Sequence, residues 1–537
     1  MQEREFNLLY EPWIRVLKQD CAPEDVSLLT LFEKAQDYRE LGGELPTQDF
    51  AILRLLLAIL HAVFERKNAE GHDAPIRSID DALDRWESLW RLGRFPSRVI
   101  ADYLQRYEDR FWLFDAERPF YQVPEAEAGT VYTAAKLNGE LSESSNKVRL
   151  FPSRTGTVKS SICFPEAARW LIYVNGYDDT SSKPKQKGLP SPGAGWLGKL
   201  GMLIAVGNNL FETLMLNLVL LKDGQEPWGQ EHPLWERDKA KSAERTQIAC
   251  PDNQSELLTL QSRRLLLKRE GKAVTGYMLL GGDFFDKTLS SSEQMTVWVR
   301  TTKPDEVPRI FQPKRHDPAK QMWRDFSTIF TSEDDSVRQP GIVRWLSWLK
   351  SNGLSSSKQL RFQIASVQYG DKDFFVTDVF SDSLALQSDL LTSLGKRWTA
   401  RIDVEVEKCG QIAYVVGTLA KDLFRSSHNE SKKNKPNEDA KAAVAKAQFY
   451  YRVDIPFRQW LQSIDPTKEF DEKEALFSRW RETACSIALS LGKEMVKETG
   501  LESFSGHPYS NGRLYTAPQS FNWFLINLAK CKRQEGK

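Results

Sequence analysis

The pattern of apolar and polar positions changes near residue 384. Before it, helical stretches alternate with runs of alternating apolar and polar residues that are typical of β-strands. After it, strand patterns mostly disappear, and helices are predicted at 384–425, 438–463, 471–498 and 517–532. We therefore predict an α+β protein, with a large mixed α/β N-terminal domain over residues 1–383 and a C-terminal four-helix bundle over residues 384–537.

One helix of the N-terminal part is apolar on nearly all sides. Pro46-Thr47 predicts its start, with Thr47 as the cap and Asp49 in the first turn, where an acid suits the helix dipole. The sequence FAILRLLLAILHAVF that follows indicates deep burial. Its run from Ile52 to Phe64 is too short for a membrane span and includes Arg54, so we predict a core helix and no membrane association. On this view His61 is a core residue with a hydrogen-bond partner.

Two β-hairpins and two long polar stretches follow. Strands in 257–300 are joined at Glu270-Gly271, and strands in 359–380 are joined at Gly370-Asp371. The stretches 134–161 and 178–195 lack periodicity, and loops of this length are commonly functional or disordered.

The net charge of +1 means that any nucleic acid would be bound through local patches. Three basic stretches offer such patches. The stretch 142–161 surrounds an aromatic residue that could stack on a base, and the stretch 262–272 lies on the first predicted hairpin. A solvated charged face is the alternative for each, and it is the more common role of surface lysine and arginine. The stretches are 142–161, 183–188 and 262–272.

The segment GAGWLG at 193–198 fits the spacing of a dinucleotide-binding loop, and Gly198-Lys199 nearly completes a P-loop. The preceding LPSP does not suit a buried strand, and Leu200 stands where a P-loop has Ser or Thr. The alternative is a glycine-rich turn whose backbone approaches another molecule. The six histidines lack ligand spacing and the six cysteines form no CxxC pair. We predict no catalytic residue, metal or cofactor, and a cytoplasmic protein with reduced thiols.

Several motifs occur in the order found in one known family. They include FNLLYEPWIRV, RFWLFDAERPFYQ, VGNNLFETLMLNLVLL and FYYRVDIPFRQWLQ, and together they extend from about residue 6 to 530. The chain thus resembles the CasA family, the large subunit of the type I-E CRISPR surveillance complex Cascade. The resemblance implies a subunit that is not an enzyme. Its implied tasks are to recognise the protospacer-adjacent motif in double-stranded DNA, to help start the R-loop and to recruit a helicase–nuclease.

The resemblance also implies contacts with the 5′ handle of the CRISPR RNA and with the other Cascade subunits. A hairpin tip parts the strands in this family, usually with a glutamine; here the tip has none, so either Lys372 does this or the motif preference differs. Some members bind zinc through CxxC pairs that this chain lacks, so no zinc is expected. Two alternatives stay open: a nucleotide-binding enzyme that uses residues 193–199, and a purely structural scaffold. The implied nucleic-acid-binding residues are Asn146, Lys147, Arg149 and Phe151 in the mobile loop, Gly193 and Gly195 in the glycine loop, Arg263, Arg264 or Lys268 in the basic finger, and Asp371, Lys372 and Asp373 at the hairpin tip.

Overall fold

The computed structural model describes residues 4–144, 147–181, 183–184, 186–230, 232–303, 306–331, 337–354, 358–431, 433–468, 470–510 and 512–533. The helices are α1 (Leu28–Lys34), α2 (Pro46–Phe64), α3 (Ile79–Leu92), α4 (Ser97–Gln105), α5 (Ala134–Leu137), α6 (Thr157–Ser160), α7 (Phe164–Tyr177), α8 (Leu210–Asn217), α9 (Gln254–Leu258), α10 (Phe326–Phe330), α11 (Gly341–Ser351), α12 (Lys396–Ser426), α13 (Lys435–Gln462), α14 (Phe470–Lys497), α15 (Glu502–Ser505) and α16 (Ala517–Arg533).

The strands are β1 (Glu5–Asn7), β2 (Ile14–Lys18), β3 (Pro23–Val26), β4 (Tyr38–Leu41), β5 (Trp112–Phe114), β6 (Thr130–Thr133), β7 (Met202–Val206), β8 (Leu221–Lys222), β9 (Glu226–Pro227), β10 (Arg263–Glu270), β11 (Ala273–Gly281), β12 (Trp298–Arg300), β13 (Phe311–Pro313), β14 (Gln359–Tyr369), β15 (Val376–Gln387), β16 (His507–Pro508) and β17 (Leu514–Tyr515).

The chain forms two compact units. The first comprises Met1–Lys320, Ser332–Ser356 and Leu360–Ser383. The second comprises Gln321–Thr331, Ser357–Gln359 and Leu384–Lys537. Helices and sheets occur together in the first unit, and long helices dominate the second, as the predicted α+β class requires.

Three small sheets organise the first unit, with strand orders β3-β2-β4, β10-β11-β6 and β15-β14-β7. Both predicted hairpins are present. Strands β10 and β11 pair antiparallel across Gly271, whose positive φ of 60° suits the turn, and β14 and β15 are neighbours in the third sheet. The tip of the second hairpin is a short 3-10 turn over Asp371–Asp373.

Helix α2 forms the centre of the first unit and packs against α4, α7, α8 and α9. Its side chains from Phe50 to Phe64 are all buried, as the sequence predicts, and each fully buried Leu or Ile contributes about 1.5–3 kcal/mol. His61 is buried and hydrogen-bonds Glu65 one turn later, which confirms its core role. The predicted cap is wrong, because Leu45 holds the N-cap position and no side chain caps the helix.

Among the described residues, α2 is also the one helix long and apolar enough by composition to cross a membrane. The apolar run Ile52–Phe64 is too short to cross a membrane by itself, but the helix begins at Pro46 and reaches 19 residues. In the folded chain, 94% of its most apolar stretch is buried inside the protein.

The second unit is built from α12, α13, α14 and α16. These helices pack against one another as a bundle, which is the arrangement that the sequence predicts. Aromatic rings fill its interior; for example, Trp460 stacks on Trp480 with centroids 5.2 Å apart, and Phe457 meets both rings edge-on. Helix α12 begins at Lys396 and not at residue 384, because β15 continues to Gln387.

Candidate nucleic-acid interface

The two adjacent arginines of β10 are structural residues in the protein interior. Arg263 is 3% exposed, and its guanidinium donates to Asp178 Oδ2 at 2.5 Å and to the carbonyl of Gly193 at 2.6 Å. Arg264 is 1% exposed and donates to Asp283 Oδ1 at 2.5 Å and to two backbone carbonyls. The expectation that they form an exposed basic finger is therefore wrong, because their guanidinium groups are enclosed and engaged within the chain.

Lys268 lies farther along the same strand and is exposed. Its side chain keeps 56% of its accessible surface and forms a 3.4 Å ion pair with Glu270. It lies five positions after Arg263 along the strand, which corresponds to about 16 Å. Of the three candidates for the basic finger, Lys268 alone presents its charge to solvent.

The basic stretch after α5 is mostly tied to the protein. The backbone N–H of Arg149 donates to Glu143 Oε1 at 3.1 Å, and its Nε donates to the carbonyl of Leu141 at 2.6 Å. Arg154 and Lys159 form ion pairs with Glu166 and Glu143. These contacts leave fewer free charges in this stretch than its composition suggests.

Two residues of this stretch remain available to a partner. Phe151 is 94% exposed, and the neighbouring Leu150 is 90% exposed.

Lys147 forms a backbone bridge with Ser144, and its Nζ lies 3.1 Å from the centroid of the Phe375 ring. Burial, with Arg149 and Lys136 nearby, lowers the pKa of Lys147. Asn146, which the resemblance implies in this loop, lies outside the described residues.

The glycine-rich segment packs closely on the protein itself. A Cβ on Gly195 would come within 2.3 Å of the carbonyl oxygen of Gly176, at the end of α7. A Cβ on Gly198 would come within 2.0 Å of the hydroxyl of Tyr369. Gly193 is less confined, since the nearest atom to its Cβ position, Lys199 Cε, is 3.9 Å away. The segment leads into a 3-10 turn over Leu197–Lys199 and then into β7, whereas a P-loop opens an α-helix.

The tip of the β14–β15 hairpin adopts an unusual backbone. Lys372, Asp373 and Phe375 all have positive φ, at 54°, 58° and 57°. Non-glycine residues in this region each cost about 1 kcal/mol or more and persist where the surroundings enforce them. The tip is therefore a strained element.

Contacts from two other segments hold this tip. Asp373 receives two hydrogen bonds from the guanidinium of Arg315, at 2.6 and 2.8 Å, and this arginine lowers the pKa of Asp373. Thr180 donates from its hydroxyl to the carbonyl of Lys372 at 2.9 Å, and from its N–H to the carbonyl of Asp373 at 3.0 Å. Tyr369 donates to the carbonyl of Tyr177 at 2.7 Å.

The charged groups at the tip differ in solvent exposure and in whether they have a partner within the chain. Asp371 and Lys372 are exposed, while Asp373 is half-buried. Within the described part of the chain, the ammonium of Lys372 has no hydrogen bond or ion pair. The tip thus presents one free cation on a rigid backbone.

These contacts bring together the loop after α5, the segment after α7 and the hairpin tip. The ammonium of Lys147 lies over the ring of Phe375, and Thr180 donates a hydrogen bond to the carbonyl of Lys372. Arg263 donates hydrogen bonds to both Asp178 and Gly193 and so connects these two residues. The sequence did not reveal Thr180, Arg315 or Phe375 as parts of this region. Arg315 lies 58 residues before Asp373, so no local pattern connects them. No group of three or more potential metal ligands occurs among the described residues.

Comparisons with known proteins agree with this architecture. The family model of CRISPR-associated protein Cse1 matches residues 7–491. A CRISPR-associated protein CasA/Cse1 from Thermus thermophilus is 33% identical over 500 residues, covering 91% of this chain and 92% of that protein. The crystal structure of Thermobifida fusca Cse1 has a TM-score of 0.80 and 27% identity, and 98% of each chain is covered.

A more distant structure shares the fold. One chain of a CRISPR RNA-guided surveillance complex has a TM-score of 0.67 at 15% identity, covering 98% of this chain and 100% of that chain. The family match extends over most of the sequence, and a relative above 30% identity is covered nearly throughout. The chain therefore belongs to the CRISPR-associated protein Cse1 family, whose members are also called CasA.

Proposed function

We propose that this chain is the large, non-catalytic subunit of a type I-E CRISPR surveillance complex. In this role it recognises the protospacer-adjacent motif in double-stranded DNA, helps to initiate the R-loop and recruits a helicase–nuclease. Membership of the Cse1 family supports the assignment. A chain of the same fold is part of a CRISPR RNA-guided surveillance complex, which favours assembly with other Cascade subunits.

The observation that carries the proposal is the strained, braced hairpin tip. The exchange of a DNA duplex for an RNA–DNA hybrid is nearly balanced in free energy. A small stabilisation of the opened first base pairs therefore decides whether the exchange starts. A mobile tip would yield when pressed against a base pair. This tip is held by Arg315 and Thr180, and it carries the free ammonium of Lys372.

Three other residues are assigned contacts with nucleic acid in the same proposal. Lys268 enters the minor groove or pairs with a phosphate, and minor-groove reading suits a degenerate motif. Phe151 and Lys147 contact the 5′ handle of the CRISPR RNA, through stacking and charge. The chain acts in the cytoplasm, without a cofactor.

The test is motif discrimination by the assembled complex. The full chain is reconstituted with the other Cascade subunits and a guide RNA. Its affinity is measured for two duplexes with the same protospacer, one with the motif and one with the motif scrambled. We expect the motif to tighten binding by at least about tenfold, equivalent to about 1.4 kcal/mol.

A complex assembled without this chain is the control and should bind both duplexes equally weakly. Equal affinity of the complete complex for the two duplexes would overturn the proposed function. The measurement is made at more than one salt concentration, because phosphate contacts depend steeply on salt.

A further inference from the structure

The segment that follows α7 is anchored by buried charged side chains. Asp179 is 1% exposed, and one of its carboxylate oxygens accepts a hydrogen bond from the ammonium of Lys136, which is 5% exposed. Its other carboxylate oxygen accepts from the backbone N–H of Ser181 at 2.7 Å. Because both oxygens of Asp179 are engaged, the backbone on either side of Thr180 is held in one conformation.

Lys183 and Arg263 hold the same segment from below. The ammonium of Lys183 donates to the carbonyl oxygens of Asp179 at 2.8 Å and Ser181 at 2.9 Å, and it forms an ion pair with Asp178. Arg263 also donates to the carbonyl of Asp179, at 3.3 Å. Buried charges are costly unless they are paired and hydrogen-bonded, and each charge of this cluster has a partner. Breaking any one of these contacts leaves a buried charge less well compensated, so the cluster fixes the segment firmly.

Thr180 lies within this anchored segment but directs its own hydrogen bonds to the hairpin tip. Its neighbours Asp179 and Ser181 are buried, whereas Thr180 is half-buried. Its hydroxyl donates to the carbonyl of Lys372 at 2.9 Å, and its N–H donates to the carbonyl of Asp373 at 3.0 Å. These two carbonyls belong to consecutive residues with positive φ. Thr180 thus holds the strained part of the tip, and the buried cluster holds Thr180.

Lys136 connects this arrangement to a second element, because it belongs to α5, the helix that leads into the basic loop. The N–H of Glu143 in that loop donates to the carbonyl of Ala135, the residue before Lys136, at 3.1 Å. The loop also contacts the tip directly, since the ammonium of Lys147 lies over the ring of Phe375. The loop and the tip therefore share one set of supports.

We propose that Lys136 and Asp179 are positioning residues for the hairpin tip, because their buried ion pair sets the place of Thr180. The geometry of the tip then depends on α5 and on the loop that follows it. The consequence for strand opening rests on the proposed function, in which the tip opens the duplex and this loop contacts RNA. A displacement of the loop on RNA binding is transmitted to the tip through the ion pair, which couples RNA contact to strand opening.

Hydrogen exchange of the free full-length chain tests the positioning role without DNA. The variant Lys136→Met/Asp179→Asn removes both charges of the pair together, so it leaves neither partner as a lone buried charge. We expect the amides of residues 370–375 to exchange at least about tenfold faster than in the wild type, while the amides of the buried helix α2 stay protected. Unchanged exchange at 370–375 in this variant would overturn the positioning role.

The matched control removes another buried ion pair of the same unit. Arg169 and Glu44 form such a pair, and their hydrogen bonds within the described part of the chain do not reach the tip. We expect Arg169→Met/Glu44→Gln to leave the exchange of residues 370–375 unchanged. Faster exchange there in the control as well would show that the tip responds to any loss of buried charge, and would overturn the specific role of Lys136 and Asp179.

Two substitutions of Thr180 test the link without disturbing the buried cluster. Thr180→Val keeps nearly the same shape but loses the hydroxyl donor, and Thr180→Ser keeps that donor. We expect Thr180→Val to speed exchange at 370–375 and to slow R-loop opening by the reconstituted complex by about three- to tenfold, the effect of one hydrogen bond, with Thr180→Ser close to the wild type in both. Equal behaviour of the two variants in exchange would overturn Thr180 as the link. Faster exchange at the tip with an unchanged opening rate would instead overturn the part of the tip in strand opening, and the positioning role would stand.

Discussion

The hairpins β10–β11 and β14–β15 both carry clustered charges in sequence, and they use them in opposite ways. In the first, Arg263 and Arg264 pair with buried aspartates and fasten the strand to the rest of the unit. In the second, the charges lie at the turn, where Lys372 faces solvent and Asp373 anchors the backbone. The position of a charge along a hairpin therefore decides its role: charge at the base stabilises the fold, and charge at the tip is available to a partner.

The largest effect that tests this comparison is on stability. Arg263→Ala leaves Asp178 buried without one of its two partners, and breaking a buried ion pair typically costs about 3–5 kcal/mol. We expect a decrease of that order in the free energy of unfolding, measured by chemical denaturation of the full chain. Lys268→Ala is the matched control on the same strand, and because Lys268 is exposed its cost should stay below about 0.5 kcal/mol. Similar stabilities of the two variants would show that the base of the hairpin is not an anchor.

This difference also changes how a scaffold role can be tested. Charge reversal at Arg263 and Arg264 would not separate DNA reading from a scaffold role. Since both side chains are enclosed, such a variant would lose binding by unfolding in either case. Substitutions at the hairpin tip and at Lys268 separate the two roles, because these side chains are exposed.

The second effect concerns the rate of strand opening. Lys372→Ala removes the free cation of the tip and keeps the bracing of Asp373 by Arg315. We expect R-loop opening to slow by about tenfold, equivalent to about 1.4 kcal/mol, while the affinity for closed motif-bearing duplex changes little. A fluorescent base analogue at the first protospacer position reports opening, and Lys497→Ala is the control.

An opening rate that Lys372→Ala leaves unchanged would exclude the ammonium as the wedge. The backbone of the tip, with its three left-handed residues, would then be the element to examine. Asp373→Asn would address it, because this change weakens the charge-assisted bonds from Arg315 that hold the strained backbone.

Local patterns in the sequence predicted the elements well, and their limits have physical causes. Alternation of apolar residues predicted both hairpins, and Gly271 marked the first turn because it adopts a positive φ. At the start of α3, the side chains of Ser78 and Asp81 form a capping box, which is a local signal of a helix start. Thr47 failed as a cap because the helix begins at Pro46, which places the N-cap at Leu45, two residues before Thr47.

The candidate site was less predictable, because burial depends on residues far away in sequence. Arg263 and Arg264 are adjacent, so their side chains point to opposite faces of β10, and the sequence does not show that both faces are covered there. Their partners Asp178 and Asp283 lie 85 and 19 residues away.

The smallest effect concerns Lys268, the one exposed cation of the predicted finger. Lys268→Ala should leave stability and strand opening nearly unchanged and reduce the salt dependence of duplex binding by about one phosphate contact, a slope change of about 0.9. Its 3.4 Å pair with Glu270 is exposed and weak, so little energy is needed to release the ammonium toward DNA. Glu270→Gln is the informative companion, because it frees Lys268 without removing it and should tighten binding slightly. If both variants bind duplex as the wild type does at every salt concentration, the β10–β11 hairpin is structural along its whole length, and the contacts with DNA are confined to the tip of β14–β15 and its neighbours.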